Sequence, residues 1–139
     1  MSLLLVEDDR ADALLVQELI ADGGTRADVV WAPSLAEAER QLSISRPDCV
    51  LLDMDLPDGT GLSVLDRIAH RDPTLPIVVL TGFTDEHFGV SAVGAGAQDY
   101  LVKGRVEPEM LQRALRYAIE RKRAELTALD LDASEMRGR

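Results

Sequence analysis

Disulfide chemistry is closed to this chain, which has a single cysteine. Cys49 sits inside the apolar run Cys49-Val50-Leu51-Leu52, where a lone thiol reads as a small core residue and leaves no Cys-based metal site. Histidine is nearly as scarce: His70 and His87 fall in stretches of helical spacing without evident partners, so neither reads as a phosphate carrier or a metal ligand. Positive charge is short as well. Fifteen Lys and Arg face twenty-five Asp and Glu, a formal net charge of -10, and a general nucleic-acid surface needs the opposite balance. The one basic run, Arg121-Lys122-Arg123, lies among glutamates and reads as a solvated helix face. No apolar run approaches a membrane span, and the opening one is cut by Glu7 after too few residues for a signal peptide. A cytoplasmic location is the expectation, with no membrane and no direct nucleic-acid partner for this segment.

What is present is a regular alternation. The 139 residues, 46% hydrophobic, suit one domain with an ordinary core and a short appendage. Apolar runs at about 3–6, 28–32, 48–53, 75–80 and 98–102 are separated by stretches of helical spacing, the pattern of a parallel sheet covered on both faces. Five strands and five helices are expected. Ala11, Leu15 and Leu19 line up on the first helix, which Asp9 caps and Gly23-Gly24 end. Ser34 to Glu37 forms a capping box for the second. Leu62, Leu65, Ile68 and Ala69 make the apolar stripe of the third, with Pro73 and Pro76 breaking the chain after it. Gly89, Gly94 and Gly96 weaken the fourth, each interior Gly costing ~1 kcal/mol relative to Ala. Pro108 opens the fifth, whose Leu111, Ala114, Leu115, Ala118 and Ile119 face the sheet.

Polar residues close four of the runs: Glu7-Asp8, Asp53, Thr81 and Lys103. In an open parallel α/β sheet these residues meet at the carboxyl edge, where ligands bind. Three carboxylates held together raise one another's pKa unless a cation intervenes. Hard oxygen ligands suit Mg2+, which takes one or two carboxylates plus phosphate oxygens. A carboxylate in such a site is also a nucleophile toward phosphorus; Asp53 is the candidate, followed by Met54-Asp55-Leu56-Pro57 as a loop opening the site to solvent. Lys103 neutralises phosphoryl charge and Thr81 donates a hydrogen bond. Singly, each is an ordinary strand-end residue, and Asp9 and Asp58 read as turn or cap residues.

Residues 3 to about 121 resemble a response regulator receiver domain. The resemblance rests on Val6-Glu7-Asp8, Asp53-Met54-Asp55-Leu56-Pro57, Leu80-Thr81-Gly82, and Gly96-Ala97-Gln98-Asp99-Tyr100-Leu101-Val102-Lys103. It implies a flavodoxin-like (βα)5 doubly wound sheet of order 2-1-3-4-5, and a signalling domain, not an enzyme beyond its own phosphorylation and dephosphorylation. Asp53 would be the phosphoacceptor, with Mg2+ held by Asp8 and Asp53, by Glu7 mainly through water, and by the Asp55 carbonyl. Thr81 and Lys103 would bind the phosphoryl group, and Thr81 and Tyr100 would act as the switch. The donor implied is a phosphohistidine on a sensor histidine kinase or phosphotransfer protein. Gly104 stands where the family usually has Pro and Gly82 where Ala is common, and Asp55 and Phe83 flank the site. The rival resemblance is Asp53-Met54-Asp55 to the Asp-x-Asp of haloacid-dehalogenase-type phosphatases; that family sets its nucleophile after the first strand and adds acids after the Lys, unlike this chain. A flavin mononucleotide binder lacks its Ser/Thr-rich phosphate loop here.

Beyond the domain, Ile119, Lys122, Leu126, Leu129, Ala133 and Met136 continue at three- and four-residue steps, a short coiled-coil-like stripe. The division expected is 1–121 as receiver and 122–139 as a helical extension or linker that pairs with a second copy or leads to an output module. The resemblance favours a serine/threonine phosphatase there, with a diguanylate cyclase or histidine kinase as alternatives. The polar end Met136-Arg137-Gly138-Arg139 fits equally a single-domain regulator that works by docking.

Overall fold

The computed structural model describes residues 1–24, 26–82 and 86–137, with side chains at all of these except 60, 86–89 and 131–137. The elements run β1 Ser2–Val6, α1 Arg10–Asp22, β2 Asp28–Ala32, α2 Leu35–Ile44, β3 Cys49–Asp53, β4 Asp55–Leu56, β5 Gly59–Thr60, α3 Leu62–Arg71, β6 Ile77–Thr81, α4 Glu86–Gly94, β7 Asp99–Val102 and α5 Pro108–Arg137. Five strands form one parallel sheet in the order β2-β1-β3-β6-β7. Counted without the small β4-β5 hairpin, this is 2-1-3-4-5, the flavodoxin-like doubly wound order.

Apolar alternation along the strands divides the core in two. Leu4, Val6, Val50, Leu52 and Val79 pack with α2, α3 and α4 residues on one face, while Leu3, Leu5, Leu51, Val78 and Leu80 pack with α1 and α5 on the other. Every residue of β3 and β6 is buried, as strands covered on both faces require. Cys49 lies in this core, fully buried.

The two cap side chains accept as expected, while the Glu37 half of the capping box instead accepts from Arg40 and Gln41. Asp9 accepts from the Asp12 N–H (3.0 Å) and Ser34 from the Glu37 N–H (3.1 Å). Asp58 is also a cap, but of a helix distant in sequence: its carboxylate accepts from the Leu35 and Ala36 N–H groups at 2.8 and 3.0 Å.

Four expectations need correction. On α1 the buried stripe is Ala13, Val16 and Ile20, and Leu15 is 46% exposed. The unbroken Ala13-Leu14-Leu15-Val16 run leaves the helix phase open, and the direction in which the capped turn leaves β1 decides it. On α3, Val64 takes the place of Leu62, which is exposed. The segment after Asp53 is no open loop: β4 and β5 pair antiparallel with Met54 and Leu56 buried, because Pro57-Asp58-Gly59 supplies tight-turn chemistry. A Cβ at Gly59 would lie 3.1 Å from Val64 and 3.2 Å from Leu35, so any larger residue there pushes these side chains aside by a few tenths of an ångström. Last, the basic run is only partly solvated. Arg121 donates to the Gln98 carbonyl at 2.9 Å, and the Lys122 side chain is only 18% exposed.

α5 is continuous from Pro108 to Arg137. Leu111, Ala114, Leu115 and Ala118 are buried, and Ile119 is partly so. Contact with the domain continues past residue 121: the Gln98 amide lies 3.4 Å from the Glu125 carboxylate, and Lys122 and Leu126 line a cleft with Arg46 and Pro76. Leu129 is then 64% exposed. The stripe residues Ala133 and Met136, like the helix-4 residues Gly89 and His87, have side chains outside the described residues, and Phe83 lies outside them altogether. Among the described residues, no helix is long and apolar enough to cross a membrane.

Candidate functional site

Parallel pairing carries the ends of β1, β3, β6 and β7 to one edge. Val6 pairs with Leu52, Asp53 with Leu80 and Thr81 with Val102, so the polar residue ending or following each strand lies beside its neighbour's. Glu7 is fully buried and Asp53 is 5% exposed, while Asp8 faces solvent. One carboxylate oxygen from each of the three lies within 4.8 Å of the others. The Glu7 Oε1 accepts from the Asp9 N–H (3.2 Å) and the Asp53 Oδ1 from the Asp55 N–H (3.2 Å), which fixes both rotamers.

Lys103 reaches into this cluster. Its Nζ is 2.5 Å from Glu7 Oε2, 3.3 Å from Asp12 Oδ2 and 3.4 Å from Asp53 Oδ2. Burial alone would lower its pKa, but the close contact with Glu7 and the charges of Asp53 and Glu7 outweigh it, and the ammonium is held well above its usual range. Desolvation pushes the Glu7 carboxyl from 4.5 up to about 7, Lys103 opposing and Asp53 adding to it. Asp53 is raised by the same burial, with Glu7 and Lys103 opposing.

A pH dependence follows. The folded protein holds the Glu7 proton more tightly than the unfolded chain, so the Glu7 contribution to metal-free stability is full below pH 4.5 and is lost as pH rises through about 7, by an amount on the order of 3 kcal/mol. Urea unfolding without metal from pH 5 to 7.5 should show this decline, and Glu7→Gln should lose it. A decline of equal size in Glu7→Gln would assign it to other groups.

The donor set fits a hard divalent cation. All three side chains offer carboxylate oxygens, and the buried Glu7 Oε2 has the Lys103 charge beside it but no well-directed hydrogen bond. A partly open oxygen site of this kind suits Mg2+. Asp55 is exposed on β4 directly after this cluster. The Thr81 hydroxyl is buried and donates to the Leu101 carbonyl at 3.4 Å, and the Lys103 N–H donates to the Thr81 carbonyl at 2.8 Å. Tyr100 is half-buried against the α4 side of the core. Gly104 takes φ +83°, a conformation closed to the proline usual at this position, whose ring holds φ near about −65°. His70 is exposed, and its Nδ1 pairs with the Asp66 carbonyl at 2.8 Å. Sequence reasoning missed two residues. Asp12 is a third acid on Lys103, beside Glu7 and Asp53, and the Trp31 indole N–H donates to the Glu7 carbonyl at 2.6 Å. Asp12 was legible only as a residue one turn past the acidic pair; nothing in the sequence marks Trp31.

Residues 3–116 match the family model of the response regulator receiver domain. The transcriptional regulatory protein DltR of Streptococcus agalactiae serotype III (strain NEM316) is 34% identical over 113 residues, covering 81% of this chain and 50% of that protein. The KDP operon transcriptional regulatory protein KdpE of Escherichia coli (strain K12) is 32% identical over 120 residues, covering 86% and 52%. The crystal structure of a response regulator receiver domain protein from Clostridium thermocellum superposes with a TM-score of 0.76 at 28% identity, covering 88% of this chain and 97% of that one. The chain spans about half the length of the curated relatives it matches. These relatives are named as transcriptional regulators, so the expected serine/threonine phosphatase output, and the cyclase or kinase alternatives, find no support in them. The haloacid-dehalogenase reading is not favoured either, with Asp53 on the third strand in sequence and the acidic pair before it. Since the family match runs from β1 into the sheet-packed part of α5, the chain belongs to the response regulator receiver domain family, the signalling domains of two-component systems.

Proposed function

We propose that the domain accepts a phosphoryl group on Asp53 from a phosphohistidine of a sensor histidine kinase or phosphotransfer protein. What supports this reading above all is the cluster of buried Glu7 and Asp53 with exposed Asp8, the first two sharing the Lys103 ammonium, at the carboxyl edge of the sheet. Asp8, Asp53, Glu7 through water, and the Asp55 carbonyl would hold Mg2+, which supplies charge neutralisation for the transferred phosphoryl oxygens. An Asp53 carboxylate oxygen forms the new bond to phosphorus while the bond from phosphorus to the imidazole nitrogen breaks, and the departing imidazole takes a proton from water. Lys103 neutralises a phosphoryl oxygen and Thr81 donates to another.

The acyl phosphate adds about -1.5 to -2 charges. It draws Lys103 from Glu7 and Asp12, and Thr81 from the Leu101 carbonyl. Tyr100 turns into the space that Thr81 leaves, and the surface of α4, β7 and α5 changes. A cytoplasmic domain of residues 1–121, with 122–139 as the link to an output module, a docking partner or a second copy, goes with this reading.

Incubation with acetyl phosphate and Mg2+ should leave about one equivalent of hydroxylamine-labile phosphate on the chain. Sustained hydrolysis of p-nitrophenyl phosphate without retained label would instead make the domain a phosphatase.

A further inference from the structure

The main chain between the two acidic residues is held from the edge strand. Glu7 donates its N–H to the Ala32 carbonyl at 3.1 Å and its carbonyl accepts from Trp31 Nε1 at 2.6 Å. That carbonyl belongs to the peptide joining Glu7 to Asp8. With its plane held, the Cα of Asp8 has one starting point; released, the peptide can rotate about its flanking bonds and carry the Asp8 carboxylate away from Glu7 and Asp53. The indole is itself anchored, half-buried against the core face of α1 and α5, while its residue pairs with Leu5 in the sheet. It leaves the β1–α1 turn held by a side chain 24 residues away.

We propose that Trp31 is a positioning residue of the cation site, orienting Asp8 through the Glu7–Asp8 peptide. The inference rests on the reading of this cluster as a divalent-cation site. It concerns a residue that touches neither the cation nor the phosphoryl group. Partners that orient metal ligands govern affinity at a distance of one bond network.

The test is Mg2+ binding to the full chain by isothermal titration calorimetry, with no phosphodonor present. Trp31→Phe keeps an aromatic ring, smaller than the indole, and removes the donor, and it should weaken Mg2+ binding about tenfold. Val16→Ala, a cut in the same core cluster, should lower the urea midpoint without changing Mg2+ affinity. A second readout uses the chain's one tryptophan: its single indole N–H resonance should shift during the Mg2+ titration of the unsubstituted chain. Equal affinity in Trp31→Phe and the unsubstituted chain, or an equal loss in Val16→Ala, would overturn the positioning role while leaving the cation site standing. Absence of Mg2+ binding to the unsubstituted chain would overturn both.

Discussion

Asp53→Asn takes up no phosphoryl group from acetyl phosphate in the presence of Mg2+, while the unsubstituted chain takes up about one equivalent. The amide nitrogen and oxygen are poor nucleophiles toward phosphorus and cannot form the acyl phosphate. Because Asp53 ends β3, where the residue is 5% exposed and its carboxylate is braced by the Asp55 N–H, the variant keeps the packing of the strand. Its metal-free form should be at least as stable as the parent near pH 7, since one of the mutually repelling, desolvated acids is gone. Phosphate retention read by mass spectrometry and urea unfolding read on the same sample separate the two effects. Undiminished labelling of Asp53→Asn would move the phosphoacceptor elsewhere.

Lys103→Ala has the second large effect, and it divides by condition. Without metal, the substitution strips the cation from Glu7 and Asp53 together, since Nζ lies 2.5 and 3.4 Å from their oxygens. An uncompensated buried charge costs about 3–5 kcal/mol, and Glu7 limits the loss by taking up a proton, its pKa already standing at about 7. With Mg2+ the same carboxylates regain a cation, so the variant recovers stability and binds the metal at least as tightly, a competing ammonium having been removed. What it does not recover is the response. Hydrogen exchange across residues 86–102, covering α4 and β7, should change on addition of beryllofluoride with Mg2+ to the parent and stay flat in Lys103→Ala. An equal change in both would show that the surface responds without the lysine.

These expectations were reachable from the chain because the informative residues close apolar runs. Leu3 to Val6, Cys49 to Leu52, Ile77 to Leu80 and Tyr100 to Val102 each read as a strand, and parallel pairing puts the next polar residue at a shared edge whatever the details of the loops. The caps of α1 and α2 were equally plain, since Asp9 and Ser34 act within three residues of themselves. Helix phase was less so. Four apolar residues in a row on α1 satisfy two stripes, and only packing selects Val16 over Leu15. The turn after Asp53 is less legible: Pro57-Asp58-Gly59 is a tight-turn signature, but the two-residue strands flanking it are too short for an alternation that separates a hairpin from an open loop. The length of the final helix was legible, but its contact with the base of the domain was not: the Gln98 carbonyl and amide meet Arg121 and Glu125 across more than twenty residues.

Local order along the chain thus determined the strands, their buried character, the caps and the cast of acids, hydroxyl and ammonium, since each depends on neighbours within a few residues. Tertiary structure alone decided how those charges share one another. Whether Lys103 also answers to Asp12, 91 residues away, and whether the Glu7 carbonyl is met by Trp31 depend on side chains reaching across strands and helices. Such reach follows from twist, register and crossing direction, and it leaves no period in the sequence.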